Sequence, residues 1–309
     1  MKSILLHVPA TVANVACGFD IMGFALDTPG DRMRVTRSKS PDIKIINSSK
    51  QKNLPVDPAK NTAGVALRAF LDHIQSDAGF ELEILEKIKP GSGLGSSAAS
   101  SAGAVYGANE LLGKPLSPVE LVPFAMEGER LASGTAHADN VSPALMGGFT
   151  LVRSYVPLDV ISIPYPKDLF CAVVHPQIEV RTEDTRKILR NDIRLRDAVT
   201  QWGNTAGLVA GLMMGDFDLI GRSLHDVVIE PTRSILIPGF ELVKKEAMER
   251  GALGCSISGS GPSIFALARN EARAKSIAEG MAKTYQKLKV PYQTHISAIN
   301  PVGPKILKG

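Results

Sequence analysis

Residues 91–100 read GSGLGSSAAS, and this stretch stands between a segment patterned as a strand and one composed as a helix. Upstream, Phe80, Leu82 and Ile84 recur at the period of two that a half-buried strand needs. Downstream, residues 96–112 are alanine-rich on every side, the composition of a well-buried helix. Glycines let the backbone take left-handed conformations and bring its N–H groups close to a ligand. A helix that starts there directs unpaired N–H groups and the positive end of its dipole outward. Together these attract an anion, and a phosphate in particular. A Walker loop is excluded, because GxxxxGK[ST] is absent and no lysine follows the glycines, and the stretch is not GxGxxG in a Rossmann unit.

Outward from this loop, the front of the chain predicts strands over 3–8, 42–46 and 80–88 and a helix over 61–74 that Asn61 can cap. Ser117, Pro118 and Glu120 form a capping box with proline at the first helical position, so another helix is expected over 117–131. Strands follow at 147–152, 160–165 and 170–175, and the proline-containing stretch 155–166 marks a seam. The second half predicts helices over 182–189, 195–214, 216–227 and 239–250, then two strands joined by a Gly/Ser turn at 255–267, a helix over 271–288 and a strand over 292–299. The class is α+β. With 309 residues, two domains sharing a cleft are expected: 1–155 carrying the Gly/Ser loop, and 156–309 completing the cleft.

Composition excludes several function classes. At 44% hydrophobic and 21% charged, with 28 glycines, the chain has the profile of a globular metabolic enzyme. The formal charge of +4 is spread among acidic residues with no run of like sign, so no nucleic-acid partner is implied. Cys17, Cys171 and Cys255 are far apart and without CxxC or His pairing, which argues against a disulfide framework and a zinc site and fits a reducing cytoplasm. The apolar start is cut by His7 and Pro9, too short for a signal segment, and no later run approaches a membrane span, so a soluble protein without a membrane partner is expected.

Three motifs then carry a family resemblance. PGSGLGSSAAS at 90–100 closely resembles the phosphate loop of the GHMP kinases, VPATVANVACGFDIMGFAL at 8–26 their first motif, and SISGSGPSIFAL at 256–267 their glycine-rich third. Order and spacing agree over nearly the whole chain. One departure is visible: Lys89 stands where the family usually has proline, and Pro90 follows it. Within the family, Asn14, the step from Gly18 to Asp20 and SGTAHADN at 133–140 look most like the branch that phosphorylates homoserine.

The resemblance implies an N-terminal domain like domain 2 of ribosomal protein S5 and a ferredoxin-like C-terminal domain, with 1–155 as the nucleotide-binding part. It implies ATP and Mg²⁺ as cofactors and homoserine as the small-molecule substrate, phosphorylated on its hydroxyl in threonine biosynthesis. The backbone of Gly91, Ser92, Gly93, Leu94, Gly95, Ser96, Ser97 and Ala98 would cradle the phosphates, with Asn61 touching the nucleotide or serving only as a helix cap. Ser97, with Ser96 as its nearby substitute, would join Glu129 in holding Mg²⁺. Arg186 and Arg233 would grip the substrate carboxylate, Asp20 its ammonium, and Asn14, His137, Asn140 and Thr182 would complete the pocket. Asn14 would orient the hydroxyl, and the catalytic set would be Asn14, Ser97, Glu129 and Asn140, with no dedicated base. The Gly259–Ser263 turn would buttress the phosphate loop. Another acceptor such as mevalonate or a sugar, or a nucleotide-binding regulator without turnover, stays open, and no residue argues for or against a homodimer.

Overall fold

The computed structural model describes residues 2–178 and 182–308, arranged on two β-sheets. The chain opens with β1 (Ser3–Ala13), which pairs antiparallel with the long β2 (Met22–Arg37). Their register shifts between Pro9 and Thr11, where a residue without an N–H cannot keep the ladder regular. β2 then serves two neighbours. Its second half pairs with β4 (Phe80–Glu86), to which β3 (Ile43–Asn47) adds in parallel, and Met22 to Phe24 pair with β5 (Phe149–Tyr155), which continues into β6 (Leu158–Ile163). β11 (Lys305–Leu307) returns from the far end of the chain to pair with β1.

Helices cover this sheet: α1 (Thr62–His73), α2 (Ser96–Leu111) and the short α4 (Val141–Met146) lie against its strands, and α3 (Pro118–Ser133) packs on those three helices. α2 lies against β1 and β2 and packs on both α1 and α3, and twelve of its sixteen residues are buried, as its alanine-rich composition requires. Small side chains set its depth. A Cβ on Gly107 would stand 2.5 Å from Val35 Cγ2, and one on Gly103 2.8 Å from Val8 Cγ2. The expected capping box is present, with Ser117 N–H donating to Glu120 Oε2 at 2.8 Å.

The second sheet is a four-stranded antiparallel one in the order β10-β7-β9-β8, formed by β7 (Phe170–Pro176), β8 (Gly254–Ile257), β9 (Ile264–Ala268) and β10 (Tyr292–Ala298). α9 (Phe240–Glu249) and α10 (Glu271–Lys287) pack over it and enclose their own apolar cluster around Phe240, Ile277, Met281 and Tyr285. Between β7 and β8 the chain also forms α5 (Thr182–Lys187), α6 (Leu195–Met214), α7 (Phe217–Ser223) and the single turn α8 (Glu230–Arg233). No helix among the described residues is long and apolar enough to cross a membrane.

Several elements depart from expectation. The helix predicted over 216–227 ends at Ser223, because the Asp226 carboxylate turns the chain by accepting N–H bonds from Val228, Ile229 and Glu230. β2, β11, α4 and α8 lack the periodicity that patterning detects. The first sheet also holds residues on both sides of position 155, since β6 extends β5 and β11 closes on β1. Gly107→Val should lower stability by about 1–3 kcal/mol by forcing α2 off β2, measurable as a reduced denaturant midpoint with an unchanged m-value.

Candidate active site

The Gly/Ser loop owes its shape to what holds it from behind. The Ser92 carbonyl accepts from the Ser263 hydroxyl at 2.6 Å, and the Gly93 carbonyl from the Ser258 hydroxyl at 2.6 Å. The Leu94 carbonyl accepts from Thr11 N–H at 3.2 Å, and the Ser96 carbonyl from the Lys87 ammonium. In a trans peptide the N–H points opposite to its carbonyl, so pinning these four turns the amides of Gly93, Leu94, Gly95 and Ser97 the other way. Leu94 N–H is taken up by Ser92 Oγ at 3.3 Å, which leaves Gly93, Gly95 and Ser97.

Glycine is needed at two of these positions. Gly93 has φ +80° and Gly95 +63°, and a Cβ would stand 2.6 Å from the Ser258 carbonyl at the first and 1.9 Å from Thr11 Oγ1 at the second. α2 begins directly after Gly95 with no side-chain cap, so its first amides keep no acceptor of their own. Leu94 and Ala98 turn their side chains into the core, and neither lines the cleft beside the loop.

This loop forms one wall of a cleft of about 490 Å³. Asn14, Asp20, Asn61, Gly91, Ser92, Gly93, Gly95, Ser96, Ser97, Glu129, His137, Asn140, Arg186 and Arg233 all line it, together with Lys87 and Asp139. Asn61 caps α1, with Oδ1 accepting from Ala63 N–H at 2.9 Å and Nδ2 donating to the Pro55 carbonyl at 2.6 Å. The Ser96 hydroxyl donates to the Ile88 carbonyl at 2.8 Å, so Ser97 is the hydroxyl of the pair that meets Glu129. Thr182 opens α5, but its side chain lies outside the described residues.

Two buried carboxylates face the cleft with an oxygen unpaired. Glu129 is 6% exposed and its Oε1 has no hydrogen-bond partner. Burial pushes its carboxyl up to about 7 against the opposing pull of the Ser97 hydroxyl and the Lys87 charge. Asp139 is 4% exposed with Oδ1 unpartnered, and burial, reinforced by the charges of Asp20 and Glu129, pushes it up to about 8. Lys87 is itself buried and anchored by Asp31, whose Oδ2 stands 2.8 Å from its ammonium.

At the other end of the cleft the charges are basic around one acid. Arg186 Nη2 donates to Asp20 Oδ1 at 2.8 Å, and His137 Nδ1 lies 3.8 Å from the same oxygen. Arg233 is 3% exposed and donates to the Gly259 carbonyl at 3.3 Å and the Thr185 carbonyl at 3.4 Å. Burial and the neighbouring Arg186 hold its guanidinium down at about 10. Burial also lowers His137, more than Asp20 raises it.

The loop that carries Asn14 and Asp20 is strained. Asn14, Val15, Ala16 and Asp20 have φ of 70°, 40°, 58° and 61°, a region that a β-branched residue such as Val15 rarely enters. Hydrogen bonds keep it there. Asn14 Oδ1 accepts from Asp20 N–H at 3.0 Å and its Nδ2 donates to the Gly259 carbonyl at 2.8 Å, while Gln201 and Thr205 of α6 both donate to the Cys17 carbonyl. Asn140 is fixed by the Thr11 hydroxyl at 2.7 Å.

Pattern reading missed Thr11, Lys87 and Tyr155. The Tyr155 hydroxyl donates to the Asp20 carbonyl at 2.7 Å and accepts from Ala138 N–H at 3.3 Å, tying two walls together. No local signal marks any of the three, because each acts through a partner distant in sequence.

The raised Asp139 has a thermodynamic consequence. Between the ordinary carboxylate range and about pH 8 the folded protein keeps a proton that the unfolded chain releases, so this group makes stability fall as pH rises through that window. Asp139→Asn removes the effect: without ligands, the variant should melt on the order of 2–4 °C or more above wild type at pH 8.5 and converge with it near pH 4. A scan of melting temperature against pH checks this.

Known proteins resemble this chain along nearly its whole length. The family model for the GHMP kinases N terminal domain matches residues 61–148, and that for the GHMP kinases C terminal matches 207–287. A homoserine kinase of Chlorobium phaeovibrioides is 49% identical over 321 residues, covering 99% of this chain and all of that one. A homoserine kinase of Chloroherpeton thalassium is 50% identical over 299 residues, covering 93% of this chain and 94% of that one. The crystal structure of homoserine kinase from Cytophaga hutchinsonii superposes with a TM-score of 0.96 at 50% identity, covering 99% of this chain and 98% of that one. With both family models matched and near-half identity along its length, the chain belongs to the GHMP kinase family.

Proposed function

We propose that this kinase transfers the terminal phosphate of ATP to the hydroxyl of homoserine. The observation that carries the proposal is one cleft with outward amides of Gly93, Gly95 and Ser97 at one end and Arg186, Arg233 and Asp20 at the other. The relatives named homoserine kinase support the same acceptor.

The amides and the α2 dipole would bind the phosphates, and the fixed loop lets them do so without reorganising. The unpaired Glu129 Oε1 and the Ser97 hydroxyl beside it form a hard oxygen pair suited to Mg²⁺. Bound there with the nucleotide, Mg²⁺ would neutralise charge on the phosphoryl oxygens during transfer. Among the described residues no three His, Cys, Asp or Glu side chains converge on a metal position, so phosphate and water oxygens would have to complete the shell.

At the acceptor end, the guanidiniums of Arg186 and Arg233 would take the carboxylate and release Asp20 to the ammonium, exchanging one charge pair for two. Asn14 and Asn140, each fixed by a hydrogen bond, would flank the hydroxyl. Burial, with the charges of Asp20 and Glu129, favours the protonated form of Asp139, which argues against it as a base. The hydroxyl proton would therefore leave late, to a phosphoryl oxygen. Cys17, Cys171 and Cys255 are buried free thiols, which supports a reducing cytoplasm as the working compartment.

A coupled assay of ADP release with homoserine, mevalonate and galactose should show turnover with homoserine alone, and silence with all three despite ATP binding would favour a regulator. Glu129→Gln should cut kcat by roughly 10²–10³-fold with the fold retained by circular dichroism. Arg233→Ala should raise KM for homoserine by roughly 30–100-fold and leave KM for ATP within about twofold. Asp139→Asn should keep most turnover, and a collapse in kcat with unchanged binding would identify a true base.

A further inference from the structure

Arg186 and Arg233 present like charges to the same end of the cleft, and their direct partners divide unequally. Arg186 has the Asp20 carboxylate at 2.8 Å, whereas the buried Arg233 guanidinium donates to two backbone carbonyls. A third group touches both. The ring of Phe19 lies with its centroid 5.7 Å from Arg186 Cζ and 5.0 Å from Arg233 Cζ, and Phe19 does not line the cleft. It stands behind the two cations.

The face of a benzene ring is negative, so it attracts a guanidinium placed over it, most strongly where water is excluded. An aliphatic side chain of the same bulk would exclude water equally but supply no such field. Phe19 is also fixed in place, since it sits in the strained loop between Gly18 and Asp20 that Asn14 and α6 clamp. One rigid dipeptide thus presents a ring face to both arginines and a carboxylate to one of them.

We infer that Phe19 is a positioning residue for acceptor recognition: its ring holds Arg186 and Arg233 together as a preformed two-armed site for the α-carboxylate. This rests on the assignment of the two arginines to that carboxylate. When the substrate ammonium draws Asp20 away from Arg186, the ring remains as the group that keeps the pair aligned.

The test compares L-homoserine with 3-amino-1-propanol, which keeps the ammonium and hydroxyl but has no carboxylate. Binding of each to the full chain is measured by calorimetry with Mg²⁺ and a non-hydrolysable ATP analogue. Phe19→Leu, and Phe19→Met as a second ring-free variant, should weaken L-homoserine about tenfold and leave 3-amino-1-propanol and the ATP analogue within about twofold. Phe19→Tyr, which keeps the ring face, should restore wild-type affinity. Equal weakening of both ligands would reveal a merely structural role and overturn the inference, as would unchanged L-homoserine binding in both ring-free variants or no recovery with Tyr. If wild type fails to prefer L-homoserine over 3-amino-1-propanol, the assignment of the arginines itself falls, and the inference with it.

Discussion

Four backbone carbonyls pinned from behind are the constraint on which the cleft depends. Ser258, Ser263, Thr11 and Lys87 hold the carbonyls of Gly93, Ser92, Leu94 and Ser96, and the planarity of the peptide does the rest by facing three amides forward. The holders come from β1, the end of β4 and the turn between β8 and β9, so the Gly/Ser loop is shaped jointly by both sheets. A helix pressed close on the sheet completes the arrangement, because only an alanine- and glycine-rich α2 lets its dipole start at that depth.

Forward-facing donors are matched by acceptors left unfinished. Glu129 and Asp139 are buried with an oxygen each unpaired, and the raised proton affinity of both measures the cost of that burial. Nearby acids that serve only the fold are treated differently. Asp31 satisfies its carboxylate with Lys87 and the Ile88 N–H, and Asp226 fills its own with Gln201 and three backbone amides. The contrast separates buried acids with an oxygen left unpaired from acids whose partners hold the chain.

The opposite end of the cleft shows the same economy with positive charge. Arg233 is delivered by a single helical turn that Asp226 starts, Arg186 by α5, and Asp20 by a loop with four residues at positive φ. The loop buries Val15, Ala16 and Cys17, but α5 and α8 carry almost no apolar side chain of their own. They are held by hydrogen bonds from α6, from the Gly259 turn and from Tyr155, which is why local propensity says little about them.

Much of the molecule was nevertheless legible in the chain. Apolar spacing located most helices and the strands with a clean period of two, and the glycines at 93 and 95 marked the loop, because a positive φ or a missing Cβ is a property of one residue. β2 and β11 escaped, since strand identity there comes from partners and not from alternation. Which side chains converge was likewise a tertiary matter. Ser97 meets Glu129, and Lys87, Phe19 and Tyr155 reach their partners, only after elements distant in sequence have packed, for a hydrogen bond or a ring contact exists between positions in space and leaves no trace in either residue alone.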